Sequence, residues 1–356
     1  MHYGFVIFII MTFVSFIWDH HRKFFYIFPL SACVLVIRMV YFLSSEEKRY
    51  IFRGLLSRSR SLGVSGDWRG WSWDHPPLLS PYDDVFLTLS EVASKYCVTG
   101  RDVYLKRVER IKYVPNKRMV RGSVLHAVVE EVITFAKKFL YSNGVVSGSV
   151  ISSELSAIAL DEVRKIFSRF SQLISSAQYT EKEKETLFSR SVNLWLYEVN
   201  QISAAVDAVL ARHPHVSLDS LVNLAIPIVV EQRLDGRFLG LSGDLSADAL
   251  SFAPVILDLK TGKFRDFQRL TTTGYALVLE ALYEVPIDVG VLVNVNFNEK
   301  NYPIITRRPH LISESLRMEF IEERDRKMEI VAEGSDPGIS SSCPLDCPFY
   351  SICHGD

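Results

Sequence analysis

Cysteine is scarce: there are five in 356 residues, too few for a disulfide-built scaffold. Net charge is nearly absent as well. The 40 Lys and Arg offset 41 Asp and Glu to a formal charge of -1. That balance excludes a polycation that coats nucleic acid by bulk charge, so any nucleic-acid contact has to come from a local patch. Long apolar runs are also missing. Two uncharged apolar stretches near the start, residues 3–18 and 24–37, hold 16 and 14 residues. Both fall short of the roughly 20 needed to span a bilayer, and Pro29 interrupts the second. No positive region precedes the first, which argues against a secretory signal. With 48% hydrophobic and 23% charged residues, the remainder has the composition of a packed globular protein.

The apolar leader at 1–38 leaves three readings open: a short membrane hairpin, a buried helix pair, or translated sequence upstream of the functional start. Met39 opens ordinary globular sequence, and a start there is the preferred reading; it would discard Cys33. Ser44 then caps a helix to about residue 60. Residues 67–82 (DWRGWSWDHPPLLSPY) form an ordered loop anchored by Trp68, Trp71 and Trp73. A helical pattern runs from Leu89 through Cys97 to about Arg110. From Lys95 to Arg121 nine basic residues face only Asp102 and Glu109, the strongest charge asymmetry in the chain. It is either a solvated helix face or a DNA contact. Residues 119–140 form a helix, 142–156 read as a linker, and 157–212 as further helices. Strands are expected at 224–231, 233–241, 246–252, 254–260 and 288–297, with helices near 266–284 and 312–333. The resulting segments are 1–38, 39–118, 119–222, 223–335 and a cysteine tail at 336–356. Helices followed by a hairpin-rich sheet indicate a mixed α/β (α+β) core rather than an alternating barrel.

Chemistry concentrates in Val255-Ile256-Leu257-Asp258-Leu259-Lys260-Thr261-Gly262. Alternation places Asp258 and Lys260 on one face of a strand. An acid beside a lysine can hold a divalent cation and offset charge developing on a phosphate. Such a triplet alone is a common strand-end salt bridge. The preceding strand adds Asp244 and Asp248, and a turn near Ala253-Pro254 would bring one of them beside Asp258. Adjacent carboxylates repel unless a cation lies between them. Gly122, His126 and Glu130 recur at spacing four on one helix face: the glycine permits close approach to the sheet, and the histidine offers an imidazole ligand.

The tail contains Cys343, Cys347 and Cys353 within eleven residues, and Cys97 would be the fourth member. Structural zinc favours paired Cys-x2-Cys knuckles, and disulfides suit an intracellular protein only in a hyperthermophile. Four irregularly spaced cysteines suit an iron–sulfur cluster. All three readings stay open on spacing alone.

Gly122-x-x-x-His126, Asp248, Asp258-Leu259-Lys260-Thr261-Gly262 and Thr273-Gly274-Tyr275-Ala276-Leu277 together resemble the PD-(D/E)xK nuclease core of the RecB-like lineage. The resemblance implies a restriction-endonuclease-like mixed sheet flanked by helices. It also implies Mg2+ or Mn2+ held by His126, Asp248 (or Asp244), Asp258 and the Leu259 carbonyl, with Lys260 assisting the attacking water. The lineage's Gln and Tyr pair, four residues apart on the next helix, is matched by Tyr275. Thr271 stands at the glutamine's place and Gln268 lies seven residues before the tyrosine. One early cysteine and three terminal ones resemble the iron–sulfur nucleases of this lineage. Together with the Arg69-Gly70-Trp71-Ser72-Trp73-Asp74 stretch, they resemble the CRISPR adaptation exonucleases of archaeal type I-A systems. That implies a 4Fe–4S cluster on Cys97, Cys343, Cys347 and Cys353, and trimming of single-stranded DNA or overhangs of spacer precursors. It further implies phosphate contacts by Lys106, Arg107, Arg110 and Arg118, partnership with the CRISPR integrase and its small partner subunit, and a cytoplasmic location. The rival classes are a catalytically weak DNA-end-binding subunit and, if residues 1–38 are genuine, a membrane-anchored zinc protein.

Overall fold

The computed structural model describes residues 39–251, 255–345 and 347–355. The apolar leader and the Ala253-Pro254 turn lie outside the described residues. Five strands form one sheet: β1 (Ile228–Leu234), β2 (Leu245–Ser251), β3 (Val255–Thr261), β4 (Val289–Phe297) and β5 (Pro303–Leu311). They lie in sequence order, antiparallel except for the parallel β3–β4 pair. A parallel pair needs a crossover, here the Arg269–Tyr283 helix. The chain is therefore mixed α/β, with helices on both faces of the sheet.

β3 is apolar on both faces because both are covered. Val255, Leu257 and Leu259 pack with Val128, Val129 and Val132 of the Lys117–Asn143 helix. Ile256 packs on the other face with Leu277 and Phe320. Asn116 caps the Lys117–Asn143 helix by accepting from the Met119 N–H, and Gly144 at φ 80° ends it. The Glu181–Arg212 helix begins with a reciprocal Thr180–Glu183 capping box and lies against the Lys117–Asn143 helix.

The tryptophan loop is fastened by buried charge. Glu280 receives Arg69 Nη1 at 2.8 Å, Arg317 Nη1 at 2.6 Å and the Gly70 N–H at 2.9 Å, and Arg69 also reaches Asp288 at 2.6 Å. A Cβ on Gly70 would stand 1.9 Å from the Leu277 carbonyl oxygen, so glycine is obligatory there. The Arg69-Gly70 pair thus anchors the loop on the crossover helix.

Several local expectations are corrected. The helix expected from Leu89 through Cys97 breaks into Leu89–Ala93 and Arg101–Arg107, leaving Cys97 in the connection. The expected linker contains the helix Gly148–Ala157, because Gly148 packs directly on the Ser203 carbonyl and its N–H donates to Asp207. The expected strand at 233–241 gives way to a short 3-10 turn, Arg237–Leu239, and β5 was not anticipated. Among the described residues, no helix is long and apolar enough to cross a membrane.

Candidate active site

Among the described residues β2 and β3 pair at Ala249–Leu257 and Leu250–Ile256. Beyond that the strands splay, which frees the Leu259 amide and carbonyl from the ladder. Side chains take them up. Asp248 Oδ2 accepts the Leu259 N–H at 2.8 Å, and His126 Nε2 lies 3.0 Å from the Leu259 carbonyl oxygen. His126 Nδ1 stands 3.5 Å from Asp248 Oδ1. Gly122 of the histidine's helix faces Thr261, but a Cβ there would make only an ordinary 3.6 Å contact with the Thr261 hydroxyl, so the approach does not require the glycine that spacing suggested. Continuing the β2–β3 register by one residue puts Asp248 opposite Asp258, and the β1–β2 register puts Glu231 opposite Asp248. Three carboxylates therefore stand in a row across three strands. Directly opposed like charges destabilise a sheet.

These groups surround a cavity of about 310 Å³ lined by His126, Asp248, Asp258, Lys260, Thr271 and Tyr275, among others. Lys260 Nζ lies 2.8 Å from Asp258 Oδ2, yet that buried oxygen accepts no hydrogen bond of suitable angle. Burial, reinforced by repulsion from Asp248, pushes the Asp258 carboxyl up to about 6 despite the lysine. Burial acts on Asp248 too, but His126 and Lys260 hold it below the usual carboxylate range. His126 is raised: burial disfavours its charge, and Asp248 outweighs burial. Lys260 is raised for the same reason, by Asp258 and Asp248 against burial. The Tyr275 hydroxyl, kept protonated by burial and the nearby carboxylates, donates to the Ser246 carbonyl, and the Ser246 hydroxyl donates to Glu231. Among the described residues, His126, Glu231 and Asp248 present ligand atoms all within 4.8 Å of one another. The donor set suits a hard divalent cation.

The four described cysteines are free thiols. Burial raises Cys343, and so do the neighbouring Cys97 and Cys353; Cys347 is raised by burial and then by Cys97 and Cys343. Sulfurs from both ends of the described chain therefore share one locus. Polar contacts hold it shut: Arg101 forks onto Asp336, the Thr99 hydroxyl donates to the Gly338 carbonyl, and Arg326 donates to the Thr99 carbonyl. Lys327 adds hydrogen bonds to the Glu91, Val92 and Ser94 carbonyls.

Comparison with known proteins bears on the whole described chain. The profile of the family described as CRISPR-associated exonuclease Csa1 matches residues 39–356. The chain belongs to that family. It is 35% identical over 299 residues to the CRISPR-associated exonuclease Csa1 of Saccharolobus solfataricus, covering 82% of this chain and 92% of that one. It is 29% identical over 291 residues to the Csa1 of Thermoproteus tenax, covering 82% and 91%. No solved structure matches the chain.

For this family member the structure brings His126, Asp248, Asp258, the Leu259 carbonyl, Lys260 and Tyr275 to one cavity, and the other candidate residues are placed as follows. Asp244 sits at the rim, largely exposed and paired with Arg233 at 2.6 Å; it lies just before β2, where the chain turns outward. Gln268 is buried away from the cavity, its side-chain oxygen accepting the Arg265 N–H, and Thr271 takes the lining position. Lys106 and Arg107 both pair with Glu91 at 2.6 Å, so much of their charge is answered internally. Arg110 is exposed, and Arg118 lines a second cavity beside the helix start. Glu231 escaped sequence reasoning. Its one signal was an acid inside the apolar run 224–231, and its backbone, at φ 49°, occupies a region that costs a non-glycine residue energy.

Proposed function

We propose that the protein is a divalent-metal-dependent deoxyribonuclease that trims DNA ends, acting on single-stranded DNA or overhangs of spacer precursors during CRISPR adaptation. One observation carries this reading: His126, Asp248, Asp258 and Lys260, remote in sequence, converge on one cavity where three strands line up their carboxylates. His126, Glu231, Asp248, Asp258 and the Leu259 carbonyl would hold Mg2+ or Mn2+. When bound, such an ion acidifies a water and polarises the scissile phosphate. Lys260, kept charged by Asp258, orients that water and offsets charge gathering on the phosphate oxygens. Water oxygen bonds to phosphorus, the phosphorus–oxygen bond to the leaving nucleoside breaks, and a proton passes to the departing oxygen. Tyr275, through Ser246, fixes the side chain of Glu231.

The cysteine locus is read as a 4Fe–4S site on Cys97, Cys343, Cys347 and Cys353, a reading supported by the convergence of four free thiols with irregular spacing. Its role is to fasten the chain ends over the nuclease core. The CRISPR integrase and its small partner subunit are the proposed recipients of the trimmed DNA.

The test is cleavage of a labelled overhang oligonucleotide by anaerobically purified full-length protein with Mn2+. Lys260→Ala and Asp258→Ala should each lower the rate by about 100-fold or more. Undiminished cutting by both variants would remove the assignment. A metal-loaded wild type that binds overhangs and releases no nucleotide would favour a DNA-end-binding subunit instead.

A further inference from the structure

A second cavity of about 310 Å³ opens between the starts of the two long helices. Its lining includes Lys117, Arg118 and Arg121 from one helix and Lys182, Glu183 and Arg190 from the other. The single carboxylate is already engaged: Glu183 binds Lys117 Nζ at 2.7 and 2.8 Å and accepts the Thr180 N–H of its own capping box. Two of the arginines, Arg121 and Arg190, have no carboxylate partner among the described residues. Arg121 Nε is buried with no hydrogen-bond partner. Among the described residues Arg190 meets neutral groups, donating to Asn301 Oδ1 at 3.0 Å and lying 5.2 Å from the Phe297 ring centroid. Burial lowers the Arg121 pKa, and Arg190 and Arg118 lower it further. Converging cations with a buried, unpartnered guanidinium nitrogen are the charge-reversed counterpart of the acid row. What completes them is an anion.

The cavity adjoins the catalytic strand. Arg121 Nη2 would lie 3.3 Å from a Cβ on Gly262, two residues beyond Lys260. His126 follows Arg121 by five residues on the same helix, about 7.5 Å along its axis. Gly262 adopts φ 94°, and Asn294 pins its carbonyl at 2.7 Å. That conformation turns the chain after Lys260 and leaves the guanidinium room.

Resting on the nuclease reading, we infer that this cavity is an anion site for a phosphate of the substrate strand beside the one cleaved. Arg121 and Arg190 are its inner ligands and Lys182 its outer one. The phosphate is either a terminal monoester or the next internal diester.

The experiment measures binding of a labelled single-stranded oligonucleotide to full-length protein in EDTA across a salt series. The oligonucleotide carries a phosphate or a hydroxyl at each end in turn. Arg121→Gln should weaken binding roughly tenfold at low salt. Arg121→Gln and Lys182→Gln should each flatten the plot of log affinity against log salt by about 0.7. Lys182 is exposed, so its variant folds and keeps the test open if Arg121→Gln does not. A wild-type preference for one phosphorylated end, lost in the variants, assigns the monoester; weakening that ignores the end groups assigns the internal diester. Unchanged affinity and slope in Lys182→Gln and in folded Arg121→Gln would overturn the proposal. Mn2+ cleavage assays on the same preparations separate the two readings. Flattened slopes without wild-type cleavage would sink the nuclease while sparing the cavity, and cleavage with unmoved slopes would do the reverse.

Discussion

Glu231 and Asp248 stand at the one position the β1–β2 pairing skips, with carboxylate oxygens within 4.8 Å of each other, and Asp248 lies next to Asp258 in the continued β2–β3 register. Without a cation the row is repulsive, so metal affinity and apo stability oppose each other. Glu231→Gln should stabilise the protein in EDTA by about 0.2–1 kcal/mol and shrink the upward shift in melting temperature that Mn2+ produces. Asp244→Asn, which alters an exposed ion pair, should leave that shift intact. Melting curves with and without Mn2+ decide this, and an undiminished shift in Glu231→Gln would place that carboxylate outside the metal site.

Glu280 answers two buried arginines at once. Glu280→Ala leaves Arg69 with Asp288 alone and Arg317 with Asp288 only at 3.9 Å, and breaking a buried pair costs about 3–5 kcal/mol. The expected result in denaturant unfolding is a midpoint lowered accordingly. Arg69→Met should cost less, because the Arg317 pair survives it.

Burial pushes Glu198 up to about 8, with the Val40 N–H bonded to one oxygen at 2.7 Å and the other oxygen unpartnered. Between the ordinary glutamate value of 4.5 and about 8 the folded state holds a proton that the unfolded state releases. The stability this protonated group allows is full below 4.5 and declines as pH rises towards 8. Unfolding free energy should therefore fall by a few kcal/mol over that window. Glu198→Gln should flatten the fall, because the amide oxygen still accepts from Val40 and nothing ionises.

Much of this architecture is legible in the chain. Asp258 and Lys260 announce themselves by alternation, and Gly122 and His126 by helical spacing. β5 is not legible, because Arg307, Arg308, Pro309 and His310 break its apolar pattern, as an edge strand tolerates. Glu231 is hidden because its meaning lies in a cross-strand register that local sequence does not encode. The second cavity is hidden for a similar reason: Arg121 and Lys182 are far apart in the chain and meet only when the two long helices pack. Gln268 misleads because two helical turns suggest a shared face, while a 3-10 turn at Asp266–Gln268 rotates it away.

The thiols offer a further check. Anaerobic wild-type protein should carry iron and the broad visible absorption of a thiolate-bound cluster. Cys97→Ser or Cys343→Ser should lose both and lower thermal stability. Stoichiometric zinc with no visible colour would replace the iron–sulfur assignment.

Arg101 and Asp336 are 235 residues apart, and the seam they close has consequences during synthesis. Domains generally form from the N-terminus as the ribosome advances, so the loop bearing Cys97 waits, unmated, while the sheet and its crossover assemble. Closure must wait until Asp336 has emerged, after the sheet and its crossover, and a product terminated before that residue would carry an assembled cavity with its latch missing.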